Sequence, residues 1–300
     1  MSVPPPAQES AAAKIVCVLV NWNGWRDTVA CLDSLREQDY PAFEVIVVDN
    51  GSTDDSRLRI AEAHPWATLL ETGRNLGFAT GCNAGTRHAL QAGADYIWLL
   101  NNDTIAPPET ARILLQKAKA NPAAGAIGTV LYYMHDPAMI QAWGGGSVNL
   151  WTGYVSHFTR AANLRRNTYL TGASVLLPAK VCEEIGLFYE GFFMYCDDAD
   201  LSLRLLAAGY QLAVCEDTAV LHKEGASSTK RNPLIDRYAT TSCLRLLRRH
   251  APIPVVSMAI YLFLRCANRL VRLEWKNLIA VWDGVLTYRR ERGVAFTDRI

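Results

Sequence analysis

Several short motifs that identify common enzyme classes are missing from this sequence of 300 residues. No G-x-G-x-x-G follows the first apolar segment, so a nicotinamide site of the Rossmann type would lack its phosphate-binding glycines. No G-x-x-x-x-G-K-[ST] is present, which argues against a P-loop nucleotide hydrolase. No G-x-S-x-G is present either, which argues against an α/β-hydrolase nucleophile. What remains for chemistry at the ends of the predicted strands is carboxylates, amides and one histidine.

Charged residues and paired cysteines are also scarce. Charged residues make up 20% of the chain and hydrophobic residues 50%, so we expect a sizeable core and little disorder. The eight cysteines contain no C-x-x-C pair, which favours reduced thiols in a cytosolic compartment. Residues 1–13 are rich in Pro and Ala but lack a basic start and a long apolar stretch. They are predicted to be a disordered N-terminus rather than a secretory signal.

The net charge of +1 hides an uneven distribution. Residues 241–300 carry eleven Lys and Arg against four Asp and Glu, whereas residues 1–240 carry nineteen against twenty-five. A basic segment that contains aromatic residues attracts anionic surfaces, and the candidates are a membrane leaflet and nucleic acid.

Short apolar runs alternate with helical spacings over residues 14–104. Residues 14–20, 45–48 and 95–100 are predicted strands, and residues 25–37 and 79–92 are predicted helices. A further helix is expected to start within residues 52–55, and a short strand near residues 67–70. This order predicts an α/β fold with a doubly wound, mostly parallel sheet and a ligand site at the carboxyl ends of its strands.

The following residues change character. Residues 125–175 contain glycines, Trp143, Trp151 and Tyr154 in short alternating runs, which predicts an antiparallel excursion with aromatic side chains for stacking or for the core. We then expect a strand at residues 171–177, helices at 179–185 and 198–208, and short strands at 211–214 and 218–221.

The last part of the chain is predicted to be helical. Residues 251–264 carry no charge, but they fall short of the about 20 residues that span a bilayer, so no transmembrane helix is expected. Arg265, Arg269 and Arg272 share one helical face, and an apolar stripe from Leu278 to Leu286 follows. This pattern predicts amphipathic helices that lie on a membrane surface, or that pack on the body or on a second subunit.

Polar side chains follow several predicted strands. Asp49 and Asp103 each end an apolar run, and His222 ends the last one. A carboxylate such as Asp103 suits a divalent cation that also takes phosphate oxygens, and a histidine nitrogen favours Mn²⁺ over Mg²⁺. The alternative is that Asp103 caps the next turn and His222 is a surface residue.

Asp197, Asp198 and Asp200 form an acidic group at the start of a predicted helix. Carboxylates this close repel one another, although the helix dipole favours negative charge there. One of them is a candidate general base that removes a proton from an attacking hydroxyl. The alternative is an acidic helix cap.

Five segments together resemble a known family. They are residues 47–54 (VVDNGSTD), 75–79 (NLGFA) with Asn83, 99–104 (LLNNDT), 193–204 (FMYCDDADLSLR), and 208–210 (AGY) followed by His222. In this order they resemble the family 2 glycosyltransferases over residues 14–240, and the Asn-Asn-Asp-Thr segment resembles the rhamnosyltransferase-like branch. The resemblance implies a GT-A fold, a nucleotide-sugar donor, a divalent cation and inversion at the anomeric carbon.

The resemblance also implies roles for individual residues. Asp198 matches the catalytic base, with Asp197 and Asp200 in support. Asp103 matches the metal-binding acid of the D-x-D motif, whose first acid is Asn101 here, and His222 matches a metal-contacting histidine. Contacts to the nucleotide sugar are implied for Asn21, Asn23, Asp49, Asn75, Gly77, Asn83 and Asn102.

The resulting prediction is an inverting glycosyltransferase that uses Mg²⁺ or Mn²⁺ and a dTDP-sugar or UDP-sugar. Its acceptor is a glycan or a lipid-linked glycan of bacterial surface polysaccharide, and nucleic acid is not an expected partner. The division is a disordered N-terminus (1–13), a GT-A domain (14–240, with a nucleotide-sugar half to 104 and an acceptor half from 105), and a basic helical tail (241–300). We expect a cytoplasmic protein that attaches to the inner face of the plasma membrane through residues 251–300, with homo-oligomerisation as a further expectation. The alternatives are a non-catalytic sugar- or nucleic-acid-binding protein and a nucleotidyltransferase.

Overall fold

The computed structural model describes residues 12–223 and 232–294, so the prediction for residues 1–13 lies almost wholly outside the described residues. The strands are β1 (Ile15–Asn21), β2 (Phe43–Asp49), β3 (Thr68–Glu71), β4 (Tyr96–Leu100), β5 (Thr104–Ile105), β6 (Ala124–Tyr133), β7 (Asp136–Trp143), β8 (Gly145–Asn149), β9 (Tyr154–His157), β10 (Thr168–Leu170), β11 (Ser174–Pro178) and β12 (Gln211–His222). The helices are α1 (Trp25–Arg36), α2 (Ser56–Ala63), α3 (Phe78–Gln91), α4 (Thr110–Ala120), α5 (Ala179–Ile185), α6 (Asp197–Ala207), α7 (Pro233–His250), α8 (Pro254–Val271) and α9 (Trp275–Glu291).

The main sheet has the order β3-β2-β1-β4-β11-β6-β12-β5, with β7 beside β6. β1 pairs in parallel with β2 and β4, and β6 pairs in parallel with β12, whereas β11 runs antiparallel between β4 and β6. The predicted doubly wound, mostly parallel sheet is therefore confirmed. The register aligns Asn21 with Asp49 at the carboxyl ends of β1 and β2.

The core has one layer on each face of this sheet. Alternate residues of β1 point to opposite faces, so Val16 and Val18 pack with α3 and α6, while Ile15 and Cys17 pack with α1 and α4. Because both faces are covered, the central strands appear in the sequence as continuous apolar runs.

The structure corrects two predicted elements in the second half of the sheet. The strands expected at residues 211–214 and 218–221 are one strand, β12, whose register against β6 shifts between Cys215 and Ala219. Residues 124–133 are a central strand, β6, rather than part of the excursion. The excursion itself consists of β7 and a small antiparallel sheet in the order β10-β8-β9.

Helix α2 begins at Ser56, after the residues predicted to start it. The preceding backbone is used for other contacts: the amide of Ser52 donates to Asp49 at 3.0 Å, and the amide of Thr53 donates to Asn23 at 2.8 Å. These bonds hold the segment as a loop over the ends of β1 and β2.

The C-terminal helices pack on the body and on one another. Helix α7 crosses the predicted boundary between residues 240 and 241, and α9 packs along it. Gly284 allows this close crossing, since a Cβ there would lie 2.7 Å from the carbonyl of Arg237. Ser242 of α7 donates to the carbonyl of Met194 at 2.7 Å, so α7 also supports the loop that precedes α6.

Helix α8 bears on the expectation that no helix spans a membrane. Among the described residues it is one helix of 18 residues that is apolar and long enough to do so, by length and composition alone. It is amphipathic, however: Tyr261 is buried against α7, and Arg265 and Arg269 pair with Asp236 of α7. Val255, Phe263 and Val271 are exposed.

Candidate active site

A large cavity of about 1560 Å³ opens at the carboxyl ends of β1, β4 and β12. Pockets for one small ligand usually measure roughly 300–1,000 Å³, so there is room for two ligands side by side. Its far wall is formed by the start of α6, the hairpin of β8 and β9, and α8. The predicted site residues that line it are Asn23, Asn75, Gly77, Asn102, Asp103, Asp197, Asp198 and His222.

Asp103 and His222 lie side by side at the sheet end of this cavity. β12 pairs with β5 so that His222 faces Thr104, and this register brings Nε2 of His222 to 3.1 Å from Oδ1 of Asp103. On the other side of the ring, Nδ1 lies 2.6 Å from Oε1 of Gln141. An amide oxygen only accepts, so Nδ1 donates this bond, and in the neutral form of the ring Nε2 then carries the lone pair.

This arrangement fits a divalent cation. In that neutral form two acceptor atoms face each other at 3.1 Å, and a cation bound between them, like a proton on Nε2, relieves their repulsion. The amide of Asn101 offers a donor to the same nitrogen at 3.2 Å. Among the described residues no third His, Cys, Asp or Glu joins the pair, so most of a cation's ligands would have to be water and ligand oxygens, as Mg²⁺ usually has them.

A chain of hydrogen bonds joins the ends of β4, β1 and β2. Asn102 donates to the hydroxyl of Thr28 at 2.8 Å, and Thr28 donates to Oδ1 of Asn21 at 2.8 Å. Asn21 in turn donates to Oδ1 of Asp49 at 2.9 Å. Asn21 and Asp49 are almost fully buried and do not line the cavity, although both were predicted as ligand contacts. Their hydrogen bonds hold the strand ends and the loop at residues 50–53 together.

Asn50 organises the turn that faces this chain of bonds. Its amide nitrogen donates to the carbonyl of Gly77 at 3.0 Å, and its oxygen accepts from the amide of Leu76 at 3.1 Å. Gly77 has a φ of 88°, and a Cβ there would lie 2.5 Å from the carbonyl of Phe193. Only glycine tolerates both conditions, so the turn can sit against the loop that leads to α6. Asn50 lines the cavity and was not among the predicted site residues.

Asp198 faces the cavity from the first turn of α6. Its carboxylate accepts from the amide of Gly172 at 3.2 Å and from the amide of Ala199 at 2.8 Å. Burial raises the pKa of Asp198, and these amides and the nearby His157 oppose that rise. Burial raises the pKa of Asp197 well above its usual range, and the charge of Asp198 adds to the rise. A carboxylate with a raised pKa in a cavity has the character of a general base.

His157 was not found from the sequence. It lies at the end of β9 and lines the cavity, where its charge favours the ionised form of Asp198. Gly146 of β8 lies against the backbone of Ser156 and His157, where no Cβ fits. No motif marks this histidine, because only the pairing of β8 with β9 brings it to the site.

Asp200 and Asn83 lie away from the cavity. Asp200 is fully buried and binds Arg204 at 2.9 Å, Arg249 at 2.7 Å and His250 at 2.8 Å. Burial alone would raise the pKa of Asp200, but these partners hold it below its usual value. Asn83 exchanges two hydrogen bonds with the backbone of Phe188, at 2.8 Å and 3.0 Å. Asp200 thus joins α6 to α7, and Asn83 joins α3 to the segment after α5.

Of the aromatic residues proposed for stacking, the structure separates one from the others. Tyr154 lines the cavity and is 70% exposed, and Trp151 is exposed nearby. The indole of Trp143 donates to Glu216 at 2.8 Å and lines a separate cavity beside Val214. Trp143 is thus not positioned to stack on a ligand in the main cavity.

An open α/β sheet with acceptor atoms at its strand ends and a carboxylate across a two-ligand cavity is the arrangement of a group-transfer enzyme of the GT-A fold. The model of glycosyl transferase family 2 matches residues 16–167, and that of glycosyl transferase family group 2 matches residues 96–289. The chain belongs to glycosyl transferase family 2, as the sequence motifs predicted.

Individual proteins are also similar. An N-acetylglucosaminyl-diphospho-decaprenol L-rhamnosyltransferase of Mycobacterium tuberculosis is 30% identical over 212 residues, which are 63% of this chain and 69% of the relative. The dTDP-rhamnosyl transferase RfbF of Shigella flexneri is 24% identical over 290 residues, covering 91% of this chain and 96% of the relative. The mannosyltransferase PcManGT from Pyrobaculum calidifontis, in complex with GDP-Man and Mn²⁺, superposes with a TM-score of 0.58 at 18% identity, covering 96% of this chain and 79% of that one.

Proposed function

We propose that this glycosyltransferase moves a sugar from a nucleoside-diphosphate donor, with inversion at the anomeric carbon and with Mg²⁺ or Mn²⁺, to a glycan or lipid-linked glycan of the bacterial surface. The observation that carries the proposal is the presence of Asp103, His222 and Asp198 around one cavity. Relatives named as rhamnosyltransferases, one of them for a dTDP-rhamnosyl donor and one for a diphospho-decaprenol acceptor, support dTDP-rhamnose as the donor and a lipid diphosphate in the acceptor. A UDP-sugar is the alternative donor.

Asp103 and His222 would hold the cation. When bound, it supplies positive charge that stabilises the negative charge developing on the leaving diphosphate. A carboxylate oxygen and an imidazole nitrogen 3.1 Å apart favour Mn²⁺ over Mg²⁺, because the nitrogen is a softer ligand. Asn23, Asn75 and Asn102 offer amides for the nucleotide part of the donor along the same edge of the sheet.

Asp198 would act as the general base. Its raised pKa makes the carboxylate a better proton acceptor for an acceptor hydroxyl, and the amides of Gly172 and Ala199 hold it in one orientation. A single displacement inverts the anomeric centre and needs no enzyme nucleophile, and the cysteine at this end of the cavity does not supply one: burial raises the pKa of Cys196 well above its usual range.

The proposed domain division follows from the same arrangement. Residues 14–104, with the cation held partly by His222, would bind the donor, and the rest of residues 105–240 together with α8 would bind the acceptor. The helical region from residue 241 onward would attach to the inner face of the plasma membrane, which places transfer on the cytoplasmic side. The exposed face of these helices could alternatively form the contact between subunits of a homo-oligomer.

The proposal is tested by calorimetry of the full chain with UDP-, dTDP- and GDP-sugars, in Mn²⁺ and in EDTA. In Mn²⁺ we expect the nucleotide sugars of one base to bind at least about tenfold more tightly than those of the other two bases. In EDTA we expect this binding to be lost. Binding of no nucleotide sugar would favour the non-catalytic alternative. Release of diphosphate from a nucleoside triphosphate and a sugar phosphate would instead identify a nucleotidyltransferase.

Replacing Gln141 with Leu is expected to weaken Mn²⁺ binding. Gln141 is 6% exposed and fixes the tautomer of His222 through the 2.6 Å bond to Nδ1. Loss of such a partner typically costs 10- to 100-fold in metal affinity, so we expect roughly that loss in Mn²⁺ titrations monitored by electron paramagnetic resonance. Gln141→Glu keeps an acceptor oxygen and should retain the affinity. Equal affinity in the Leu variant would show that Gln141 does not position the histidine.

A further inference from the structure

The wall of the cavity formed by α8 carries a row of three arginines. Arg265, Arg269 and Arg272 share one face of the helix and line the cavity together with Leu264 and Asn268. We call these three residues the arginine row. A cavity wall with three guanidinium groups is suited to an anionic ligand, because each group presents donors in a planar fork that matches phosphate oxygens.

The arginine row is only partly neutralised. Asp236, which is 1% exposed, accepts from Arg265 at 2.6 Å and from Arg269 at 2.9 Å. Glu274 accepts from Arg269 at 2.6 Å. Within residues 12–223 and 232–294, Arg272 makes no ion pair, and the Nε atoms of Arg265 and Arg269 are buried without a hydrogen-bond partner. Three guanidinium groups therefore face two carboxylates and keep unused donors.

The row lies on the side of the cavity where Asp198 begins α6. Arg265 pairs with Asp236 of α7, and Ser242 of the same helix donates to the carbonyl of Met194 in the loop that leads into Asp197 and Asp198. Arg265 and Tyr195 of that loop line the same cavity. The cation pair, Asp103 and His222, comes from the sheet instead. An anion bound to the row would accordingly belong to the acceptor rather than to the donor.

The opposite face of α8 is apolar and exposed. Phe263 is 72% exposed and Val271 is 84% exposed, and Ile279 and Trp282 of α9 continue this surface. An exposed apolar helix face with cations along its border is the pattern of a helix that lies in a membrane interface. Leu264 belongs to both surfaces, since it lines the cavity and is 48% exposed.

We propose that the arginine row binds the diphosphate of an isoprenoid-diphosphate acceptor, whose lipid chain leaves the cavity over Leu264 into the membrane on which the outer face of α8 lies. The inference rests on the proposed function and assigns residues to the acceptor's diphosphate. Charge complementarity selects the diphosphate, and the apolar face next to it selects a lipid over a free phosphate. No covalent step is involved.

The test measures binding of farnesyl diphosphate to the full chain by calorimetry in EDTA, so that diphosphate cannot bind through a cation at Asp103. We expect Arg272→Gln to weaken binding roughly tenfold and Arg272→Lys by less, because a charge-assisted bidentate contact is lost or reduced to a point charge. Arg290→Gln, on the exposed last turn of α9, is the matched control and should bind as the wild type does. Farnesol should not distinguish the variants.

Flotation with phosphatidylcholine vesicles separates the two sources of phosphate. Vesicles that contain a polyprenyl diphosphate should capture the wild type and lose Arg272→Gln, while phosphatidylglycerol vesicles should capture both equally. If Arg272→Gln bound phosphatidylglycerol vesicles as poorly as it bound polyprenyl diphosphate vesicles, the arginine row would be a contact to lipid headgroups, and the proposal would be overturned. Equal binding of farnesyl diphosphate by the Arg272→Gln and Arg290→Gln variants would also overturn it. A dimer that buries Phe263 and does not bind vesicles would overturn it as well. Donor binding in Mn²⁺, measured on the same variants, reports separately on the proposed function.

Discussion

Replacing Asp198 with Asn is expected to remove sugar transfer while leaving donor binding intact. An amide cannot take a proton from the acceptor hydroxyl, and general-base catalysis is usually worth roughly 10²- to 10⁴-fold in rate. The donor contacts proposed for Asn23, Asn75 and Asn102 lie outside α6. The donor dissociation constant should therefore change by less than about twofold, which corresponds to roughly 0.4 kcal/mol. The measurement is kcat for transfer together with calorimetry of the donor.

The matched control is Asp27→Asn. Asp27 is another carboxylate that lines the cavity, and it pairs with Lys223 at 2.7 Å on the surface. We expect this variant to keep most of its activity. If Asp198→Asn turned over at the wild-type rate, or if both variants lost the same activity, Asp198 would not be the base.

The same carboxylate should shape the pH dependence of the reaction. Burial raises the pKa of Asp198 above the ordinary 3.8, and only the ionised form accepts a proton. The value of kcat/KM should therefore rise with pH, and the midpoint of this rise should lie at a higher pH than the pKa of an exposed aspartate. A raised pKa also means that stability present at low pH is lost as the pH rises through it. Asp198→Asn should consequently unfold at no lower temperature than the wild type at pH 7, which separates lost catalysis from lost folding.

The second large effect is expected from Asp103→Asn. The new amide would take the place of Oδ1, 3.1 Å from Nε2 of His222, and would donate a hydrogen bond to the lone pair that a cation needs. A bound cation stabilises the charge that develops in the transition state by several kcal/mol, so its loss should lower the rate by roughly a hundredfold or more. The measurement is kcat/KM as a function of Mn²⁺ concentration.

EDTA should reproduce the loss in the wild type, and added Mn²⁺ should reverse it there but not in Asp103→Asn. Asp27→Asn again serves as the control, since it changes a carboxylate of the same cavity without touching His222. Full donor binding and transfer by Asp103→Asn in EDTA would contradict the role assigned to the cation pair.

The arginine row shows how much the sequence alone could predict about α8. The spacing of Arg265, Arg269 and Arg272 places them on one helical face, but the same spacing suits a membrane surface, a second subunit or the body of the protein. The structure decides among these by packing Tyr261 and Asp236 between α8 and α7, which turns the arginines toward the cavity.

Asp49 and Gln141 show two different limits of prediction from the sequence. Asp49 lies in a family motif, yet its carboxylate is 1% exposed and bound by Asn21 and Ser52, so a motif does not tell a buried support from a ligand contact. Gln141 lies in no motif, because β7 reaches His222 only through the pairing of β7 with β6 and of β6 with β12.

The sequence by itself determined the alternating strands and helices of residues 15–100, the class of sheet that they form and the family, because apolar periodicity and short motifs are properties of neighbouring residues. It also placed Asp103 and His222 at the ends of predicted strands and Asp198 at the start of a predicted helix. Only the tertiary structure decided which polar side chains line the cavity and which are buried in hydrogen bonds with one another. That outcome depends on contacts between residues far apart in the chain, such as His157 with Asp198 and Gln141 with His222, which local patterns do not encode.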